Sequence, residues 1–139
     1  MLDAYALIAV LPGEPAAEEL RSVLEAGDAA IHPLNLAEVI DRMVRLAQAD
    51  ADEIEADVAL LGVSTIDLIR ADLIDAGRWR ARHYRRADRA VSLADCVAAV
   101  SAVRGAKPLA TSDPGCAAMM REEGGTVLAL PDSTGARPE

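Results

Sequence analysis

Residues 92–114 read SLADCVAAVSAVRGAKPLATSDP, and this stretch decides the fold. Ser92 precedes Asp95 by three residues, the spacing at which a capping side chain and an acid satisfy each other's backbone N–H groups at a helix start. Small and apolar residues continue to Val103, and Gly105 suits the far end of that helix. Pro108-Leu109-Ala110 is a short apolar run of the kind a buried strand shows. Asp113-Pro114 then pairs an N-cap with proline at the first helical position. The segment is therefore a helix, a strand and a second helix, with an acid at the start of each helix.

The same alternation extends in both directions. Met1-Leu2 and residues 29–31, 64–68 and 126–130 are further apolar runs. Helical patterns cover 4–11, 15–26, 36–48, 51–61, 70–86, 93–104 and 114–123, and Asn35 reads as an N-cap with Glu38 three residues on. Short strands alternating with helices predict an α/β fold, a mainly parallel central sheet covered by helices on both faces. With 139 residues, 52% of them hydrophobic, the chain forms one domain over residues 1–131, and 132–139 reads as a flexible C-terminal tail. Alanine occupies 29 positions and Phe none, so close-packed helices are favoured over a β-sandwich.

A net charge of −9 argues against a protein that holds nucleic acid or membranes by bulk electrostatics. The charge is segregated: residues 78–89 (RWRARHYRRADR) carry six Arg and one Asp. No basic residue precedes Arg21, no cleavage-like site follows the first apolar run, and no stretch approaches membrane-spanning length, so a cytoplasmic protein is expected. Cys96 and Cys116 lack metal-ligand spacing and read as small buried apolar residues.

Asp3, Glu38, Asp95 and Asp113 all stand at a strand end or a helix start. Taken singly, each is explained as a cap that complements the helix dipole. Parallel topology places such junctions on one edge of the sheet, where ligand chemistry collects, so the four are expected to converge. Hard carboxylate oxygens with no His or Cys cluster beside them select Mg²⁺ or Mn²⁺ over Zn²⁺.

The blocks Leu2-Asp3-Ala-Tyr-Ala-Leu, Asn35-Leu-Ala-Glu38-Val, Ser92-Leu-Ala-Asp95-Cys and Thr111-Ser-Asp113 resemble, in order, the four signature blocks of PIN-domain ribonucleases. The nearest likeness is to VapC-type toxins of toxin–antitoxin modules. Gly13-Glu14-Pro15 and the closing Gly-Gly-Thr-Val-Leu-Ala-Leu at 124–130 are similar to further family features. The resemblance implies a three-layer α/β/α PIN-like domain and a metal-dependent endoribonuclease. In that reading Asp3, Glu38, Asp95 and Asp113 are the catalytic and metal-holding residues for Mg²⁺ (or Mn²⁺), and the metal activates a water. Products carry a 5′-phosphate and a 3′-hydroxyl. It also implies an RNA substrate, a cognate antitoxin protein, a homodimer and a higher toxin–antitoxin assembly.

Three features depart from the family pattern. Tyr5 stands where a small hydroxyl residue is common, and only Met1 and Leu2 precede Asp3. His32 stands where Ser or Thr is common, and reads as a structural edge residue. Asn35, Thr111 and Ser112 are expected to support the acids from behind, roles compatible with capping and turn formation. Arg78, Arg80, Arg82, Arg85 and Arg86, interleaved with Trp79, His83 and Tyr84, form a candidate RNA-binding segment of phosphate-gripping and base-stacking groups. The competing reading is a solvated face pairing with surplus acids. The acidic block 50–57 reads as a solvated face, and the apolar positions of residues 39–46 and 54–61 exceed what one core face needs, which leaves surface for an antitoxin helix or a second protomer. Two other functions fit parts of the pattern. One is a catalytically impaired PIN-like binding module. The other is a phospho-acceptor receiver domain, which also uses an Asp-lined Mg²⁺ pocket, although its first strand usually ends in two acids.

Overall fold

The computed structural model describes residues 1–11 and 15–139; Gly13 and Glu14, read above as family features, lie outside the described residues. The elements are α1 (Ala4–Val10), α2 (Pro15–Glu25), β1 (Ala30–Ile31), α3 (Pro33–Ala47), α4 (Ala51–Leu60), β2 (Ser64–Thr65), α5 (Arg70–His83), α6 (Leu93–Arg104), β3 (Leu109–Thr111), α7 (Pro114–Glu122) and β4 (Val127–Ala129).

β1 pairs in parallel with β2, and β3 in parallel with β4. Leu2 joins the two pairs by parallel bridges to Ile31 and Ala110. The Leu2 N–H donates to the Ala30 carbonyl at 2.8 Å, and the Ala110 N–H donates to the Met1 carbonyl at 2.8 Å. The spatial order is β2, β1, Leu2, β3, β4, all parallel. From Leu2 the chain moves outward on one side through β1 and β2, then crosses to β3 and β4 on the other. Leu2 is thus the topological switch point, and the residue beyond it, Asp3, emerges where open α/β sheets bind ligands.

Strand periodicity of two sorts the sheet's residues between two cores. Leu2, Ile31, Ala110, Leu128 and Leu130 face a core with Leu7, Leu20, Val39, Ile54 and Val58 from α1 to α4. Met1, Leu109 and Val127 face the other, with Ala76, Val97, Val100, Met119 and Met120 from α5 to α7. The result is the three-layer α/β/α arrangement expected from the sequence. Alanines at 98, 99 and 102, all fully buried, let α6 approach the sheet and α5 closely.

Several boundaries differ from the sequence reading. α3 begins at Pro33, three residues earlier than expected, because His32 is its N-cap: the ring Nδ1 accepts from the Leu34 N–H at 3.1 Å. Asn35 is therefore not a cap but a buried residue of the first turn. α5 ends at His83 rather than 86, where Arg85 and Arg89 close a tight turn through two backbone bonds of 2.9 and 2.8 Å. The run 64–68 contributes only Ser64 and Thr65 as strand, and Leu68 is exposed. At the carboxyl end, Arg137 bonds to Glu19 and to the Ala129 carbonyl, and Pro138 is buried.

Candidate active site

Three of the four acids are fixed by the local chemistry of helix starts. Asp3 caps α1, its Oδ1 accepting from the Ala6 N–H at 2.7 Å. Asp95 completes the capping box of α6: its N–H donates to Ser92 Oγ at 3.0 Å and its Oδ2 accepts from the Ser92 N–H at 2.7 Å. Asp113 caps α7, its Oδ1 accepting from the Cys116 N–H at 2.6 Å. The capping reading is thus realised at all three, and each cap engages one oxygen of its carboxylate. Glu38 lies further along α3, half-buried.

These four acids, from four separate segments, line a single cleft of about 340 Å³ together with Tyr5, Ser92 and Ser112. Asp3 is the deepest and fully buried, Asp95 is half-buried and Asp113 exposed at the rim. Burial pushes the Asp3 carboxyl from its ordinary 3.8 up to about 7; the charges of Asp95 and Asp113 act in the same direction, against hydrogen bonds from Thr111 and the Ala6 N–H. Thr111 is fully buried; its hydroxyl bonds to Asp3 and also accepts the Asp113 N–H at 3.0 Å. It therefore supports two of the acids. Asn35 does not line the cleft; both its side-chain polar atoms are buried without a hydrogen-bond partner.

Does this donor set suit a divalent cation? Among the described residues no three His, Cys, Asp or Glu side chains converge as an all-protein cage would require. Mg²⁺ does not need such a cage, because it retains waters and is usually held by one or two carboxylates. Glu38 Oε2 is buried without a partner, and the charges that act on buried Asp3 are those of two further acids, Asp95 and Asp113. The hard, oxygen-only set around the cleft fits a Mg²⁺-like ion, with Asp3, Glu38, Asp95 and Asp113 as the residues able to hold it directly or through water.

The arginine segment behaves differently from its appearance in sequence. Arg78 pairs with Asp75 and Arg82 with Glu123, while Arg89, at the far end of the segment, grips Glu122 through two hydrogen bonds. Arg80 donates to the Val91 carbonyl and lies over the Tyr84 ring at 4.3 Å. Trp79 is half-buried against the core of α5 to α7, and His83 sits between Glu122 and Glu123, so both are engaged by the protein's own groups. Arg85 and Arg86 remain exposed, with Arg85 adding its charge to those around Glu122.

One cleft residue went unread in the sequence. Arg42, one turn after Glu38 on α3, pairs with Glu38 Oε1 at 2.7 Å and is the one basic side chain among the described residues lining the cleft. The Glu38-x-x-x-Arg42 spacing is the helical signal that would have found it. Cys96 and Cys116 are free and buried, as expected, and burial pushes the Cys96 thiol up to about 12.

Among the described residues no helix is long and apolar enough to cross a membrane. A comparison with curated proteins found no match. In a comparison with protein families, the PIN domain matches residues 1–122, a span that includes every acid of the cleft and leaves the receiver-domain alternative without support. The match, the parallel α/β architecture and the acid-lined cleft at its switch point agree: the chain belongs to the PIN domain family, a family of nucleases.

Proposed function

We propose that this PIN domain is a metal-dependent endoribonuclease, the toxin of a VapC-type toxin–antitoxin module acting in the cytoplasm. The observation that carries the reading is the convergence of Asp3, Glu38, Asp95 and Asp113 on one cleft. Asp3 is pinned by the Ala6 N–H and Thr111, so its orientation is set before any ligand arrives. Asp95 and Asp113 are pinned at the starts of α6 and α7, whose N-terminal dipoles offset part of the repulsion among the acids. Without a cation, four carboxylates repel an RNA phosphate. A bound Mg²⁺ or Mn²⁺ supplies charge neutralisation and a more acidic water for phosphodiester hydrolysis. Ser112, on the cleft wall, is the hydroxyl available to orient that water, and Arg85 and Arg86 are the guanidinium groups available to the RNA backbone.

The partner side of the proposal rests on apolar surface that the fold leaves uncovered. Leu46 is 70% and Leu60 85% exposed, with Val44 also exposed, beside the acidic face of α4. Such a face suits a second protomer and an antitoxin helix with basic flanks. End-labelled structured RNA incubated with purified protein and Mn²⁺, Mg²⁺ or EDTA tests the enzyme. Cleavage with either ion, absent in EDTA and leaving 5′-phosphate ends, is the expected result. Metal binding without cleavage of any RNA assigns the protein to the impaired binding modules, with Tyr5 at the cleft wall as the first residue to replace by Ser.

A further inference from the structure

The cleft holds one cation of its own. Arg42 approaches from α3 and rests on Glu38 Oε1 at 2.7 Å, while its side chain stays 45% exposed. The other oxygen of Glu38, Oε2, is buried without a partner. Glu38 therefore has one oxygen engaged by a guanidinium and the other left without a partner.

We propose that Arg42 is a phosphate-binding residue of this site, held on Glu38 in the free protein and released to the RNA backbone when a divalent cation takes up the carboxylates. The proposal rests on the metallonuclease reading above. Three physical points support it. A partly exposed pair spaced i,i+4 contributes modest stability, and a cation on the carboxylate offsets its loss. Guanidinium presents a planar fork of donors that fits a phosphate as well as it fits a carboxylate, so the exchange replaces one charge-assisted contact by another of the same geometry. In the arginine segment Arg82 is committed to Glu123 and Arg89 to Glu122, and the exposed Arg85 and Arg86 do not line the cleft, whereas Arg42 already lies in it with the acids.

The test compares wild type with Arg42→Met and Arg42→Lys. Calorimetric Mn²⁺ titration reads the competition for Glu38, and binding of an end-labelled RNA hairpin in Ca²⁺ over a range of salt concentrations reads the phosphate contact. Arg42→Met is expected to bind Mn²⁺ about fivefold more tightly, since the competing charge is gone. Its RNA affinity is expected to fall about tenfold, with the salt slope reduced by about one. Arg42→Lys recovers part of the RNA affinity through charge without the fork. Mn²⁺ affinity that is unchanged or weaker in Arg42→Met overturns the competition, and unchanged RNA affinity or slope overturns the phosphate contact; either result overturns the proposal. A wild-type protein that binds neither Mn²⁺ nor RNA overturns the metallonuclease reading and this one with it.

Discussion

Replacing Asp3 by Asn tests whether the deepest acid is held at an energetic disadvantage that a cation relieves. Asn keeps an oxygen for the Ala6 N–H, so the cap on α1 survives and only the charge is removed. Asp3 titrates at about 7 in the folded protein against an ordinary 3.8, chiefly through burial. Across that interval the folded state holds a proton that the unfolded state has released. The stability Asp3 contributes is therefore complete below about pH 4 and is lost as pH rises through 7. Three pH units at 1.36 kcal/mol each give a loss of about 4 kcal/mol. Urea unfolding in EDTA at pH 5, 6, 7 and 8 measures it. The stability of wild type relative to Asp3→Asn should fall by about 1.4 kcal/mol per pH unit between 5 and 7, then level off. Saturating Mg²⁺ should restore wild type and leave the variant nearly unaffected. Parallel pH profiles for the two proteins would refute the account of Asp3.

Further consequences follow from the same geometry. Mn²⁺ binding at pH 6 should release close to one proton, and almost none at pH 8.5, because Asp3 loses its proton to the incoming charge; calorimetry in buffers of different ionisation enthalpy reads this directly, and a pH-independent proton count contradicts it. Asp72 is nearly fully buried and is held by Arg104 at 2.7 Å and by the Ser101 hydroxyl at 3.1 Å. Arg104→Ala should therefore cost about 3 kcal/mol in denaturant unfolding at neutral pH, and a change below about 0.5 kcal/mol would show that water replaces the guanidinium. An Arg85→Ala/Arg86→Ala protein should lose about two from the salt slope of RNA binding, while Arg82→Ala should change it little, since Arg82 is engaged with Glu123. Equal effects from the two would mean that the Glu123 pair opens on RNA.

The parts of the fold legible in the sequence were those written in local chemistry. Ser92 and Asp95 satisfy each other across three residues, Asp113 precedes Pro114, and both helices start where those signals stand. The gathering of acids at junctions was legible for the same reason, because a parallel sheet brings its strand ends to one edge. What was not legible depends on partners distant in the chain. Asn35 has the residue type and spacing of a cap, yet the preceding Pro33 lets the helix start earlier and the His32 ring takes the capping role. Residues 78–89 look like a basic patch, but Glu122 and Glu123 at the end of α7 come back to neutralise much of it. Trp79 is indistinguishable from a stacking residue until it is seen to pack against the core of α5 to α7. Strand order, and hence the position of Leu2 at the switch point, had no local signal at all.

The central claim is that Asp3, Glu38, Asp95 and Asp113 act as one metal-dependent unit on RNA. The most direct measurement is the single-turnover rate of Mn²⁺-dependent RNA cleavage for Asp3→Asn, Glu38→Gln, Asp95→Asn and Asp113→Asn, and for the Asp3→Asn/Asp95→Asn double variant. Groups that work as a unit give losses that do not add. The account predicts that Asp3→Asn and Asp95→Asn each abolish most of the rate and that the double variant falls no further. Cleavage that depends on Mn²⁺ and persists at the wild-type rate in the double variant would contradict it.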